Sequence, residues 1–553
     1  MRLAQASEAP GVAAASLVAV GAALLAAGLL HRAPSHASWA GAALLVAGSA
    51  LLAMRAVKRY LGAPRVSLDL VYALLHMRAV ASGRPPPGKV LEAVSSEKLY
   101  GRYSQLLARA VLLAREWGYN LSEALSYLAG SIRETAFREV VQRLAATIRL
   151  GADLEKFLDS EYDTLFHEYE YHYQRMMNNL RVLLGVYVSV MAALVFAISS
   201  FTLLEFFFGG SAGVLVKTYV VSLASVTALG AIIILLLPRE YFEVKGRESR
   251  ENRLVFLIDT LAAAGALLGA AAAALYLHGR PVNAKTLGIA LILAGAPTLP
   301  AGLLALRYES YVQDIDVFFP VFIRSLGSFI ATIPSLKEAI RQVLRADLGK
   351  LTKLLLRFRA RLENEVPPRI AWRRFSIECG SELVRRGSRI FQDTVDYGGD
   401  TVLAGKLVSD HNNALLRLRR LRAQVSSNFT STAIIVHASV VAISIFILGL
   451  TGYFNALLHK LAGQLPGSVA PMMIVSPVNM EFVSRAIYVF TGALAIINAY
   501  LISIVRPYST RGFWLFYAVL LLVTGATSYL SDTILYYVLK TMTGLPQIPI
   551  PTS

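Results

Sequence analysis

Nine runs of about twenty mostly apolar residues constrain this chain more than any other feature. A bilayer core is about 30 Å thick, and a helix crosses it in about 20 residues with every backbone N–H and C=O bonded internally. The runs lie at 11–30, 38–54, 182–207, 214–237, 255–277, 286–306, 431–453, 483–505 and 513–537. The fold class they predict is an all-α polytopic membrane protein with about nine transmembrane helices. Composition agrees, since 55% of the 553 residues are hydrophobic and 16% are charged, far from an average soluble domain.

The net charge of +18 would suggest nucleic-acid binding in a soluble protein, but here the placement of the charges decides. About 47 of the 54 Lys and Arg fall in the N-terminus, 55–181, 238–253, 307–430 and 506–512. By the positive-inside bias those segments are cytosolic, and the loops at 31–37, 208–213, 278–285 and 454–482 face outward with the tail at 538–553. The N-terminus is then cytosolic, the C-terminus external, and lipid rather than nucleic acid the expected contact. Cys379 is the only cysteine, so no disulfide within the chain forms, and it reads as a small buried apolar side chain.

The order of segments repeats. Two spans (1–54), a cytosolic domain (55–181) and two spans (182–237) are followed, after a linker (238–253), by two spans (254–306), a second cytosolic domain (307–430) and three spans (431–537). Arg78 and Glu92-Ala93 correspond to Arg324 and Glu338-Ala339, and Gly101 and Gly151 to Gly349 and Gly399, at an offset of about 246 to 248 residues. An even number of spans per copy makes this a parallel repeat.

Both cytosolic domains are predicted to be helical bundles. Phe137, Val140, Val141, Leu144 and Ile148 line one helix face, and Leu351, Leu354, Leu355, Phe358 and Leu362 repeat their spacing. Asn120 with Glu123, and Ser335 with Glu338, have capping-box spacing. Pro85-Pro86-Pro87-Gly88 breaks the chain between two helices, as Pro334 does in the second domain. Tyr162, Leu165, Tyr169, Tyr173, Met176 and Leu180 run at helical spacing into the third span, and Leu415, Leu418 and Leu421 precede the seventh similarly. Each stripe predicts packing within its own bundle or a seam between the two.

Catalytic motifs fail on their chemistry, so no catalytic residue, metal or cofactor is expected. Gly83 to Lys89 fits the start of a phosphate-binding loop, but Val90 replaces the Ser or Thr and three prolines remove backbone N–H donors. Gly399 to Lys406 has one residue too many. His167 and His172 are five apart, whereas zinc ligands on one helical face need i and i+4. The intramembrane charges are Glu205, Asp259 and Asp532, each near the end of its span. No second aspartate at a matching depth forms a proteolytic dyad, and no span shows a paired set of polar residues at mid-depth.

Basic residues crowd the second domain: Arg357, Arg359, Arg361, Arg373, Arg374, Arg385, Arg386, Arg389, Arg417, Arg419, Arg420 and Arg422. They suit anionic headgroups or an acidic protein partner. Gly265 and Gly269 form a small-xxx-small pair that predicts close helix approach in the fifth span.

Four stretches resemble the type II secretion system F-domain family in its archaeal form, the platforms of archaellum and type IV pilus assembly. They are Arg78 to Val94, Phe322 to Ile340, Gly118-Tyr-Asn-Leu-Ser-Glu-Ala-Leu125 and Gly151-Ala-Asp-Leu-Glu-Lys-Phe-Leu158. The resemblance implies a non-enzymatic platform, a homodimer in the cytoplasmic membrane. Its implied partners are a hexameric secretion ATPase, met through the basic residues above apart from Arg389, and pilin or archaellin subunits. A secondary transporter with an internal duplication is the alternative, for which duplication and many spans are ordinary.

Overall fold

The computed structural model describes residues 66–208, 212–238, 240–244, 253–333, 335–462 and 480–543. The first two apolar runs, Pro334, most of the outer loop and the final ten residues lie outside the described residues.

A first bundle is built from α1 (Leu68–Ala81), α2 (Pro87–Ser95), α3 (Arg102–Glu116), α4 (Leu121–Ser131), α5 (Thr135–Arg149) and the start of α6 (Leu154–Phe208). The Ser67 hydroxyl accepts from Leu70 N at 3.2 Å and starts α1. Pro87 occupies the first position of α2, where its missing N–H has no intrahelical partner to lose. Asn120 caps α4, accepting from Ser122 N at 3.1 Å rather than from the Glu123 N–H that its capping-box spacing predicts. Phe137, Val140, Val141 and Leu144 are buried on α5, while Ile148 is only half-buried.

The chain then crosses through α6, α7 (Ala212–Leu236), α8 (Arg253–Leu277) and α9 (Ala284–Gly295). Here the sixth apolar run departs from one helix. A 3-10 turn at Ala296–Thr298 separates α9 from α10 (Leu299–Thr332), because Pro297 and Pro300 lack the N–H groups that would continue the ladder. That break seats against α8. A methyl group at Gly265 would lie 2.5 Å from the Pro297 carbonyl oxygen, and one at Gly269 would run into the Ala294 carbonyl.

The lower half of α10 opens a second bundle with α11 (Leu336–Val343), α12 (Lys350–Glu363), α13 (Pro368–Cys379), α14 (Glu382–Asp396) and α15 (Thr401–Ala462). The last two helices are α16 (Met480–Val505) and α17 (Phe513–Thr543). Seven helical segments among the described residues are long and apolar enough to cross a membrane. The chain is an all-α polytopic membrane protein, with one isolated bridge, Glu243 to Ser381, among the described residues.

The two bundles repeat one another in detail. Arg78 on α1 bonds Asp163 on α6 at 3.0 Å, and Arg324 on α10 bonds Asp410 on α15 at 2.5 Å. Gly101 and Gly349, at φ 57° and 56°, make the same left-handed entry to α3 and α12, a backbone glycine accommodates without strain. The partner of Gly151 (φ 62°) is Gly398 (φ 73°) rather than Gly399, so the repeat register shifts by one residue there. The Ser335 cap is not formed; its N–H goes to the Ile333 carbonyl at 2.7 Å, and Glu338 pairs with Arg341.

Candidate functional site: the junction of bundles and membrane helices

Helices α6 and α15 run unbroken for 55 and 62 residues from the bundles into the apolar zone. They pack against each other. Of the two packings the stripes allow, a seam between the bundles is the one that forms. Tyr162 on α6 bonds His411 Nδ1 on α15 at 2.9 Å, and the Phe166 ring lies 5.0 Å from that imidazole. Leu165, Tyr169, Tyr173 and Leu180 share one continuous core with Leu415, Leu418 and Phe429.

Where this pair leaves the bundles, buried arginines hold segments distant in sequence. Arg386 on α14 reaches Asp69 on α1 at 2.7 Å, Glu382 at 2.9 Å and the Leu99 carbonyl at 3.2 Å. Its guanidinium lies over the rings of Tyr72 and Tyr241. Burial alone would pull this guanidinium down, but Glu382, Asp69 and Tyr72 outweigh it and hold it above its usual value. Arg419 on α15 meets the buried Asp316 of α10 at 2.5 Å, and Ser381 bonds the same carboxylate. Arg422 donates to the carbonyls of Val505 and Ile504 at 2.9 Å and of Pro238 at 3.2 Å. It therefore caps the end of α16, whose last carbonyls have no intrahelical donors, and holds the chain just past α7.

The segment 240–244 threads through this layer. Val244 N donates to Gly380 O at 3.1 Å and Glu382 N to Phe242 O at 3.3 Å, which stitches it to the second bundle. Glu243 then meets Arg511 at 2.7 Å, and Arg511 also holds Asp259 at 2.8 Å; Arg506 meets Glu309 at 2.7 Å. The loop between α16 and α17 is thus tied to the linker and to α8 and α10.

Inside the membrane zone a second polar chain joins four helices. Tyr187 on α6 donates to Asn498 on α16 at 2.6 Å, Asn498 bonds His437 Nδ1 on α15 at 3.2 Å, and His437 Nε2 bonds Thr524 on α17 at 2.8 Å. No single run carries a paired set of polar residues, as the sequence indicates, and the pairing arises between runs. Each comes from a different run, and folding alone assembles them. Asp532 lies 3.6 Å from Lys285, and Glu205 sits near the end of α6 with its side chain outside the described residues.

Residues 73–200 match the family of type II secretion system (T2SS) protein F. The chain carries a type II secretion F domain. That F domain takes in α1 to α5 and most of α6, so it includes one of the two long helices. The chain is also 25% identical over 457 residues to Flagella accessory protein J of Methanocaldococcus jannaschii, covering 81% of this chain and 78% of that protein. A Flagella accessory protein J of Methanococcus voltae is 24% identical over 428 residues, 75% of each chain. No solved structure matches the chain.

Around the F domain and its repeat, the arginines read from the sequence as partner-facing divide by burial. Arg357, Arg373, Arg374, Arg417 and Arg420 are exposed. Arg359 pairs with Glu363 at 2.7 Å, Arg361 with Glu378, and Arg385 with Glu382 at 3.4 Å. Arg386, Arg419 and Arg422 are corrections: they are buried and committed to internal acids and carbonyls, so they face no partner. The acids they meet, Asp69 and Asp316, escaped the sequence reading. No local pattern in the sequence marks either acid as the partner of a buried arginine.

Proposed function

We propose that the chain is the membrane platform of an archaellum-type or type IV pilus-like assembly machine. Both bundles face the cytosol, with the N-terminus inside and the C-terminus outside, a reading that the distribution of basic residues supports. A hexameric secretion ATPase acts on the bundles, and pilin or archaellin subunits enter the filament beside the membrane helices. The platform works as a homodimer and carries out no chemistry of its own. The observation that carries this reading is the paired α6 and α15. A stiff helix that leaves a bundle and crosses the membrane moves as one body, and the buried arginines fasten its exit to the other spans. The matched F domain and the names of the two relatives support the same class.

Substituting Arg373→Glu with Arg374→Glu tests the ATPase contact. The expected result is normal membrane insertion with reduced co-purification of a hexameric secretion ATPase from the native host; undiminished co-purification removes that surface from the proposal. The intramembrane chain of Tyr187, Asn498, His437 and Thr524 is the one observation that favours a transporter. Its bonding positions are filled by one another, which suits a fastener better than a solute site. Uptake of solutes into proteoliposomes would reverse that preference.

A further inference from the structure

A cleft of about 340 Å³ lies where the second bundle meets the first. Arg369 and Arg373 on α13 and Arg385 and Arg389 on α14 line it, with Glu97 of the first bundle opposite. The two arginines of each helix are four residues apart, so each pair projects from one helical face. Arg389 holds Glu97 at 2.5 Å and Asp393 at 3.0 Å, and Arg385 holds Glu382 at 3.4 Å. Four arginines and one carboxylate, Glu97, line the cleft, and Glu382 and Asp393 sit behind it, so the cations are still in excess. A concave wall with an excess of one sign concentrates potential and draws in small ions of the other.

A second observation points to a ligand. Ser388 lines the same cleft, is 2% exposed, and its hydroxyl finds no hydrogen-bond partner among the described residues. Leaving such a group unpaired is costly, so a buried hydroxyl in the wall of a cationic cleft is best explained by an acceptor that enters from outside. Guanidinium groups match phosphate oxygens with two parallel N–H donors each, and the volume falls at the small end of ligand sites.

We propose that this cleft binds a small polyphosphate, either pyrophosphate itself or the phosphate chain of a nucleotide, without consuming it. The incomplete phosphate-loop patterns elsewhere in the chain play no part. Because the walls come from both bundles, the ligand would brace their seam.

Calorimetric titration of the full chain in nanodiscs tests this, using pyrophosphate in one arm and ADP in the other. Saturable binding at one site per chain is expected in at least one arm, and tighter binding in the ADP arm assigns the nucleotide as source. Arg369→Gln with Arg373→Gln should weaken it about ten-fold or more, the loss of a charge-assisted contact. Both positions are exposed, and an unchanged melting temperature confirms the fold. Arg357→Gln with Arg359→Gln, outside the cleft, should leave binding unaltered. No saturable heat in either arm, equal weakening by both double variants, or binding of an acidic peptide with neither phosphate compound overturns the proposal.

Discussion

Arg386 on α14 and Asp69 on α1 stand 317 positions apart in sequence and 2.7 Å apart in space. This pair fastens one copy of the repeat to the other, and it does so beside the aromatic faces of Tyr72 and Tyr241. The Arg386 side chain is 4% exposed and that of Asp69 is 24% exposed.

The unequal exposure predicts unequal losses. Removing one member of a buried ion pair costs about 3–5 kcal/mol because the other stays behind unpaired. Arg386→Gln should reach that range, since Glu382 and the Leu99 carbonyl also lose their donor. Asp69→Asn should cost less, because its remaining partner can still reach Glu382. The double variant should be no worse than Arg386→Gln alone, a coupling that thermal unfolding in detergent micelles measures directly. Strict additivity would show that the two side chains act separately.

Cys379 supplies a reporter for the second bundle. It is fully buried at the end of α13, and burial first, then Asp316 and Glu378, raise its thiol well above the usual value. The thiolate is the reactive form, so maleimide labelling of the native protein should be slow and should accelerate only as the bundle unfolds. As Cys379 is the sole cysteine, one label per chain reads this site alone. Rapid stoichiometric labelling of folded protein would contradict its burial.

The seven membrane helices among the described residues were legible because a long apolar run has few other fates, and the repeat was legible through Arg78 with Arg324 and Gly101 with Gly349. The junction was not. Arg385 and Arg386 look alike in sequence, yet successive residues on a helix point about 100° apart, so one stays at the cleft and the other enters the core. Nothing local to Arg386 announces Asp69. For the same reason Tyr187, His437, Asn498 and Thr524 are isolated polar residues in four apolar runs until the helices pack.

Arg422 is predicted to resist conservative replacement. Its forked guanidinium spans the Val505, Ile504 and Pro238 carbonyls, with Glu240 at 3.3 Å, and so covers the end of α16 and the chain just past α7 at once. A lysine keeps the charge but concentrates it at one nitrogen. Arg422→Lys should therefore leave some of these carbonyls unpaired and cost about 1–3 kcal/mol. Filament assembly should fall while membrane insertion persists; wild-type melting and assembly would show that charge alone suffices.

The intramembrane chain has a fixed direction, and this determines which substitutions matter. Thr524 spends its hydroxyl proton on the Leu520 carbonyl at 2.7 Å, so its oxygen accepts from His437 Nε2–H. His437 Nδ1 is then free of a proton and accepts from the Asn498 amide, while the Asn498 oxygen accepts from Tyr187. Asn498→Leu removes the bonds to Tyr187 and His437 and strands those two buried groups, at about 1–3 kcal/mol each. Tyr187→Phe strands only the Asn498 oxygen and should cost less. Replacing all four by apolar residues of similar shape should recover much of the loss, because no polar group is then left unpaired. Unfolding in micelles ranks the three variants. If the fourfold variant is stable but no longer supports filament assembly, the chain does more than hold helices together; if Asn498→Leu melts like the parent protein, the bonds contribute nothing.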